Sequence, residues 1–286
     1  MPALSLPNFM GGIGELQRIE GSTDSWQWVI GELKRCPRDL AMNGETLFLH
    51  SQLYREVMPA VIRTAMGICA MYCIQNANNR DTTLRMIDDA VLELINSPSP
   101  MMTDASGEIH PESGLLDELA RLQAFALYQM IRMFSGGIEQ RVTIDLQRGL
   151  LTTRALQLLR RSRIVLGDNL SPIQNWNAWI VAESIRRTVL VIYMFYGMYS
   201  MAMHGVCVDF ATLAKLPVST SPASWQVQDA RAVFGAGTET ERTLPYEDYT
   251  QEWMVSTQKT LHPFEKFLIV PCKGLEGVRA FGFEEV

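Results

Sequence analysis

Residues 188–203 read TVLVIYMFYGMYSMAM and form the most apolar stretch of the chain. The stretch also contains three tyrosines, Gly197 and Ser200. A membrane-spanning helix needs about 20 predominantly apolar residues, so this stretch is too short and too polar to span a bilayer. We therefore expect a buried helix over about residues 172–203, with Ser171 as its N-cap and Pro172 at its first position.

The segments outside this stretch show the periodicity of amphipathic helices. Apolar side chains recur at i, i+3, i+4 and i+7 in residues 59–75 and again in residues 115–134. No long alternation of apolar and polar residues predicts a strand, and no internal repeat is present. The predicted fold class is all-α: a single irregular helical bundle around the central helix, one domain over residues 1–286 with an irregular segment at 1–22.

Prolines and glycines predict where several helices end. A first helix should begin near Ser25 and end at Cys36-Pro37, because the residue before a proline avoids the α conformation. Gly149 is expected to interrupt or bend the helix of residues 138–160. The C-terminal part is predicted to hold a loop at 217–222, short helices at 225–234 and 246–261, and a last helix or strand at 263–272.

The composition excludes several classes of protein. Hydrophobic residues make up 47% and charged residues 20%, which argues against disorder. The net charge of −6 disfavours direct binding to nucleic acid, whose phosphates attract basic surfaces. The basic cluster Arg160, Arg161 and Arg163, with Arg154 upstream, is expected to be a solvated helix face near a C-terminus.

The cysteines indicate the redox environment of the protein, and the lack of known motifs argues against several kinds of site. Five scattered cysteines are typical of a reduced intracellular protein, and the N-terminus lacks the pattern of a signal peptide. We find no metal-ligand spacing, no phosphate-binding loop, no dinucleotide fingerprint and no nucleophile elbow. We therefore expect no metal and no cofactor.

Two charged residues on the predicted central helix are candidates for a ligand site. Glu183 and Arg187 lie four residues apart, and charges buried in an apolar bundle should be paired. They form either an internal salt bridge that fixes the helix register or the polar floor of a ligand cavity. In the second case the apolar wall would include Tyr193 and Tyr196.

Two further pairs could take part in acid–base chemistry. His50 and Tyr54 share one helix face if their segment is helical, whereas His204 and Asp209 follow the central helix. Each pair has a structural interpretation, a hydrogen-bonded histidine or a histidine that contacts the last helix carbonyls. Each also has a catalytic one, as a general acid and base. The catalytic candidates are therefore these four residues and Glu183.

Six short motifs follow one another along nearly the whole chain. They are 46–54 (TLFLHSQLY), 122–129 (LQAFALYQ), 134–141 (FSGGIEQR), 176–188 (WNAWIVAESIRRT), 244–246 (LPY) and 272–274 (CKG). Together they resemble the C-terminal regulatory, or middle homology, region of fungal-specific zinc-cluster transcription factors. Two features depart from that family: the six-cysteine zinc cluster does not occur in residues 1–286, and Ser135 and Gly137 replace the acidic pair of the family's FDGD turn.

The resemblance implies a helical regulatory or ligand-binding domain that acts without a DNA-binding module of its own. Its partner would be a small apolar metabolite or another protein, in the nucleus or the cytoplasm, and the domain could form a homodimer. A second interpretation is a cofactor-free cyclase, isomerase or pericyclic catalyst of Diels–Alderase type in fungal secondary metabolism. Such reactions need mainly shape, orientation and a few hydrogen bonds, so the sequence leaves open whether the chain is an enzyme.

Overall fold

A computed structural model describes residues 23–97, 111–167, 175–204, 207, 209–220, 222–226, 242–255, 260–280 and 284–285. Helices dominate these ranges, so the predicted all-α class is confirmed. The segment 1–22, predicted to be irregular, lies outside the described residues. The α-helices are α1 Thr23–Asn43, α2 Ala60–Cys73, α3 Arg80–Asn96, α4 Pro111–Ser135, α5 Ile138–Leu166, α6 Trp176–His204, α7 Phe210–Leu213, α8 Tyr246–Val255 and α9 Pro263–Ala280.

Short strands form two small sheets near the C-terminus. Strand β1 (Pro217–Ser219) pairs antiparallel with β2 (Thr243–Pro245), and β3 (Thr260–Leu261) pairs in parallel with β4 (Glu284–Glu285). The predicted loop at 217–222 is therefore wrong in its first half. A strand of three residues is too short to show an alternating pattern, and pairing with a distant segment stabilises it.

The described residues fall into two compact units. The central unit comprises the described residues from Lys34 to Ile192, and the terminal unit comprises residues 23–33 and those from Tyr193 onward. In the terminal unit, α8 contacts both β1 and β2. The Tyr246 hydroxyl donates a hydrogen bond to the Leu268 carbonyl, which joins α8 to α9. The organisation of residues 1–286 as one domain stays a prediction.

Helix α4 is the core of the central unit. It contacts α2, α3 and α5, and α2 also contacts α3. Every residue from Leu119 to Arg132 is buried except Arg121, which is half-buried. A helix that is buried on nearly all sides must be predominantly apolar, and this one reads LARLQAFALYQMIR.

Helix α6 is the predicted central helix, and it is buried as predicted. Every residue from Ala182 to Met201 is buried except Arg186. The predicted cap, Ser171-Pro172, lies outside the described residues, and the helix runs to His204. None of the helices in the described ranges combines the length and apolar character that crossing a bilayer requires.

The predicted end of the first helix at Cys36-Pro37 is wrong, because α1 continues to Asn43 with Pro37 inside it. A proline has no main-chain N–H, so it cannot form the hydrogen bond to the carbonyl four residues earlier, and it tends to kink the helix. Here Leu33, Cys36 and Leu40 are almost completely buried. Burial of this apolar stripe outweighs the missing hydrogen bond.

Other predicted boundaries shift as well: the helix predicted at 246–261 ends at Val255, and Thr260–Leu261 form strand β3. Helix α5 continues through Gly149 to Leu166, since one glycine costs a helix only about 1 kcal/mol. The segment 263–272 is helical, and α9 bends at Gly274, whose φ of 75° favours glycine. A 3-10 helix at Pro222–Gln226 overlaps the start of the helix predicted at 225–234, and the rest of that prediction lies outside the described residues.

Candidate functional site

A buried hydrogen-bond network connects Tyr54, Gln123 and Thr188 in the central unit. The Tyr54 hydroxyl donates to Gln123 Oε1 at 2.7 Å. Gln123 Nε2 donates to the Phe48 carbonyl at 3.0 Å and to Thr188 Oγ1 at 3.3 Å. The network ties the segment after α1 to α4 and α6, and it satisfies polar groups that would be costly to bury alone. Burial raises the pKa of Tyr54 well above its usual value, so its hydroxyl stays protonated and acts as a donor.

His50 lies at the start of a series of turns, so the condition under which it would share a helix face with Tyr54, a helical segment, is not met. The turns are closed by main-chain hydrogen bonds such as Leu53 N–H to the His50 carbonyl, 3.0 Å. His50 Nδ1 accepts from the Gln52 N–H at 3.1 Å, and its ring meets Trp176 edge-on with centroids 6.0 Å apart. These contacts fix the orientation of the buried imidazole.

Glu183 is paired with two arginines on its own helix. Its Oε1 accepts from Arg187 Nε at 2.7 Å, and its Oε2 accepts from Arg186 Nε at 2.8 Å. The side chains of Glu183 and Arg187 are only 3% and 4% exposed. The predicted internal salt bridge is present, and both carboxylate oxygens are engaged. A role of this pair as the floor of a ligand cavity stays a prediction.

The remaining predicted residues belong to the terminal unit. Tyr193 and Tyr196 are buried on α6, and the Tyr196 ring meets Phe195 edge-on. His204 is the last residue of α6, but its side chain lies outside the described set. Asp209 is half-buried just before α7, and its carbonyl accepts the N–H groups of Thr212 and Leu213. Their roles in ligand binding and acid–base chemistry stay predictions.

A cavity of about 390 Å³ lies in the central unit where the C-terminal end of α3 meets α4 and α5. No pattern in the sequence predicted this cavity. Its apolar wall is formed by side chains from α3 and α4, and its polar wall holds amides and charges from all three helices. The lining residues are Leu94, Ile95, Asn96, Ser97, Glu118, Arg121, Leu122, Phe125, Arg154 and Gln157.

Guanidinium groups cap the C-terminal end of α3 beside this cavity. Arg154 donates to the Leu94 carbonyl at 3.2 Å, and Arg121 donates to the Ser97 carbonyl at 3.2 Å. The last carbonyls of a helix lack partners within the helix and carry a partial negative charge, which cations stabilise. Arg154 was predicted to be part of a solvated face, but it is half-buried, whereas Arg160 and Arg163 are exposed as predicted.

The two carboxylates at the cavity are already paired with other arginines. Asp117 Oδ2 accepts from Arg121 Nε at 3.0 Å, and Glu118 forms an ion pair with Arg161. Burial raises the pKa of Glu118, and the charges of Arg161 and Arg154 partly oppose that rise. Within the described ranges, no carboxylate lies within 4.0 Å of the Arg154 guanidinium. Together, Arg121, Arg154 and Arg161 place three positive charges beside two carboxylates of the described residues.

Local sequence patterns do not reveal such a cavity. Its lining comes from three helices, because the C-terminal end of α3 meets the sides of α4 and α5. The signal that was available is the one-turn spacing of Glu118, Arg121 and Phe125, which places charge and an aromatic ring on one side of α4. In the part of the chain that the structure describes, no group of three or more His, Cys, Asp or Glu side chains could hold a metal ion.

Comparison with known proteins gives one informative relationship. No family model matches the chain, and no solved structure matches it. A protein named transcription factor gsfR2, from Penicillium aethiopicum, is 30% identical to it over an alignment that covers 74% of this chain and 53% of that protein. The chain thus spans about half the length of this relative. The chain is related to a fungal transcription factor.

Proposed function

We propose that this chain is a regulatory domain of fungal transcription-factor type. It would act through a partner protein or a small ligand rather than by contacting DNA itself. The observation that carries this proposal is the 30% identity to a named transcription factor, which extends over 74% of the chain. Similarity of that extent covers most of a folded region rather than one short motif.

Charge supports the proposal that the chain does not contact DNA directly. The net charge is −6, and binding to the phosphate backbone depends on clustered Lys and Arg. Several arginines are engaged inside the protein instead, such as Arg187 with Glu183 and Arg121 with Asp117. A regulatory domain of this kind would influence transcription through what it binds.

The alternative, a cofactor-free cyclase or pericyclic catalyst, has less support from the side chains first considered for it. A general acid or base needs an accessible proton and a pKa near the working pH. Both oxygens of Glu183 accept hydrogen bonds from arginines, and the pKa of Tyr54 is raised far above neutrality. These groups are suited to holding the core together.

A tethering experiment tests the regulatory role. Residues 1–286 are fused to a bacterial repressor's DNA-binding domain, and a reporter gene carries that repressor's operator in a fungal host. We expect several-fold activation or repression relative to the DNA-binding domain alone. Fluorescent fusions of the same chain should be found in the nucleus of the same host.

Two variants make the tethering experiment specific. Glu183→Gln should abolish the effect on the reporter, because it breaks the buried ion cluster of α6. Glu252→Gln, at an exposed ion pair with Arg242, should leave the effect unchanged. A stable, nuclear fusion protein that leaves the reporter at the level of the DNA-binding domain alone would contradict the proposal.

A further inference from the structure

We propose that the cavity between α3, α4 and α5 binds a small organic monocarboxylate, with Arg154 as the group that anchors the carboxylate. The site goes beyond the regulatory role and does not depend on it, because binding to the purified chain can be measured without DNA. None of the side chains on α6 that were first considered as a ligand site lines it.

The size of the cavity sets the size of the ligand. Ligand pockets usually enclose about 300–1,000 Å³, and this one encloses about 390 Å³. A molecule with one small ring or a short alkyl chain fits such a volume. The ligand is therefore small.

The arrangement of charges sets the charge of the ligand. Among the described residues, three guanidinium groups, those of Arg121, Arg154 and Arg161, lie beside two carboxylates, Asp117 and Glu118, which leaves one positive charge in excess. Burial removes part of the hydration of a guanidinium, and a bound anion compensates for that loss. One excess positive charge matches a carboxylate, which carries one negative charge, better than a phosphate monoester, which carries about two.

The Arg154 guanidinium has donors left for such an anion. One of its terminal nitrogens donates to the Leu94 carbonyl at 3.2 Å, which holds the planar group at the edge of the cavity. A guanidinium has five N–H donors in a fixed fork and binds a carboxylate through two parallel hydrogen bonds. The contact to Leu94 thus orients Arg154 and leaves other donors for a carboxylate.

The rest of the lining matches the body of an organic acid. Leu94, Leu122 and Phe125 line the cavity with a small apolar surface, which an alkyl or aromatic group can cover. Asn96 and Gln157 add neutral amides that can donate or accept a hydrogen bond. An acid with an apolar body can contact the apolar side chains with that body and the polar side chains with its carboxylate.

Binding to purified protein of residues 1–286 tests the site, by titration calorimetry and ligand-observed NMR. The probes are phenylacetate and hexanoate as acids with different bodies, phenylacetamide as the uncharged analogue, and phenyl phosphate as the dianion. We expect at least one of the two acids to bind. We expect phenylacetamide and phenyl phosphate to bind more weakly than phenylacetate.

Variants assign the binding to Arg154. Arg154→Gln should weaken binding of the acids about tenfold or more, since loss of a charged hydrogen-bond pair costs at least 1.4 kcal/mol. Arg154→Lys, which keeps the charge but loses the planar fork, should give an intermediate affinity. Arg160→Gln is the matched control, because Arg160 is exposed on the same helix. Circular dichroism confirms that each variant is folded.

Several results would overturn the proposal. They are failure of both acids to bind, equal affinity for phenylacetate and phenylacetamide, tighter binding of phenyl phosphate than of phenylacetate, and unchanged acid binding by folded Arg154→Gln. If the variants do not fold, the comparison of acid, amide and phosphate on the unmodified protein still decides the matter. A negative result here with a positive tethering experiment would reject this site and leave the regulatory role intact.

Discussion

Helices α5 and α6 have the same length, 29 residues, but their charged side chains find partners in different places. The buried charges of α6 pair with one another, Glu183 with Arg186 and Arg187. Two cations of α5 reach other helices: Arg154 donates to a carbonyl of α3, and Arg161 pairs with Glu118 of α4.

The difference separates charges that hold the fold together from charges that are available to a ligand. A carboxylate whose two oxygens already accept hydrogen bonds inside the core is not available to a ligand. Removing it leaves buried charges unpaired and lowers the free energy of unfolding. A guanidinium that caps the end of a neighbouring helix keeps several donors and borders a cavity. We therefore expect mutations on α6 to change stability and mutations at the cavity to change ligand binding.

The largest effect should follow replacement of Glu183. Glu183→Gln removes the carboxylate that neutralises the buried Arg187, and we expect the free energy of unfolding to fall by about 3–5 kcal/mol. Urea denaturation followed by circular dichroism measures this change. In the control, Glu252→Gln, the ion pair with Arg242 is exposed on both sides, and we expect a loss under about 1 kcal/mol. Equal losses in the two variants would contradict the distinction between buried and exposed pairs.

The inner and outer sides of α5 should respond differently to the same truncation. Leu158 is completely buried, and Leu158→Ala should cost about 3 kcal/mol because it leaves a cavity. Leu146 is 79% exposed on the same helix, and Leu146→Ala should change the stability by less than about 0.5 kcal/mol. Thermal and urea denaturation of both variants check this difference. A large loss for Leu146→Ala would mean that its side is covered by something in solution.

The network around Gln123 should give a smaller effect. Tyr54→Phe removes the hydrogen that Gln123 Oε1 accepts and leaves that buried oxygen without this donor. We expect a loss of about 1–2 kcal/mol in the free energy of unfolding. A double-mutant cycle with Gln123→Leu tests the assignment, because the two losses should not add. Fully additive losses would show that the two side chains do not depend on each other.

The smallest effect should be a pH dependence at the cavity. Burial raises the pKa of Glu118 in the folded protein, so the protonated form is the one that folding favours. Its favourable contribution is complete below the unfolded pKa of about 4.3 and is lost as the pH rises through the folded pKa. Compared with Glu118→Gln, the unmodified protein should therefore lose stability as the pH rises above about 4. Urea denaturation of both proteins at several pH values above about 4 checks the sign. If the unmodified protein gained stability relative to Glu118→Gln as the pH rose, the prediction would be contradicted.

The fold could be predicted from local patterns where one side of a helix decides the outcome. The apolar residues 188–203 are enough to predict burial of α6, and the spacing of Glu183 and Arg187 is enough to predict their pairing. The extension of α1 past Pro37 could not be predicted, because it depends on burial that only the folded chain provides. Strand β1 likewise depends on β2, which lies more than twenty residues later.

The candidate site was harder to predict than the fold. The predicted residues His50 and Tyr54 do not share a helix face, and each contacts other parts of the central unit. The cavity beside Arg154 arises where the C-terminal end of α3 meets α4 and α5, a property that no single segment contains. Arg154 was grouped with its exposed neighbours because periodicity places a side chain on a helix face but does not identify what covers that face.

The thiols of this protein differ in accessibility in a way that is useful in the laboratory. Cys36, Cys69 and Cys272 are buried, and burial raises the pKa of Cys272 to about 12, whereas Cys73 is exposed near the end of α2. The thiolate is the form that reacts with alkylating reagents, and buried thiols are inert. A maleimide dye should thus attach to Cys73 before it reaches those three, which would place a fluorescent label on α2. The buried thiols should react only when the protein unfolds, so the rate of their labelling would report the rate of unfolding.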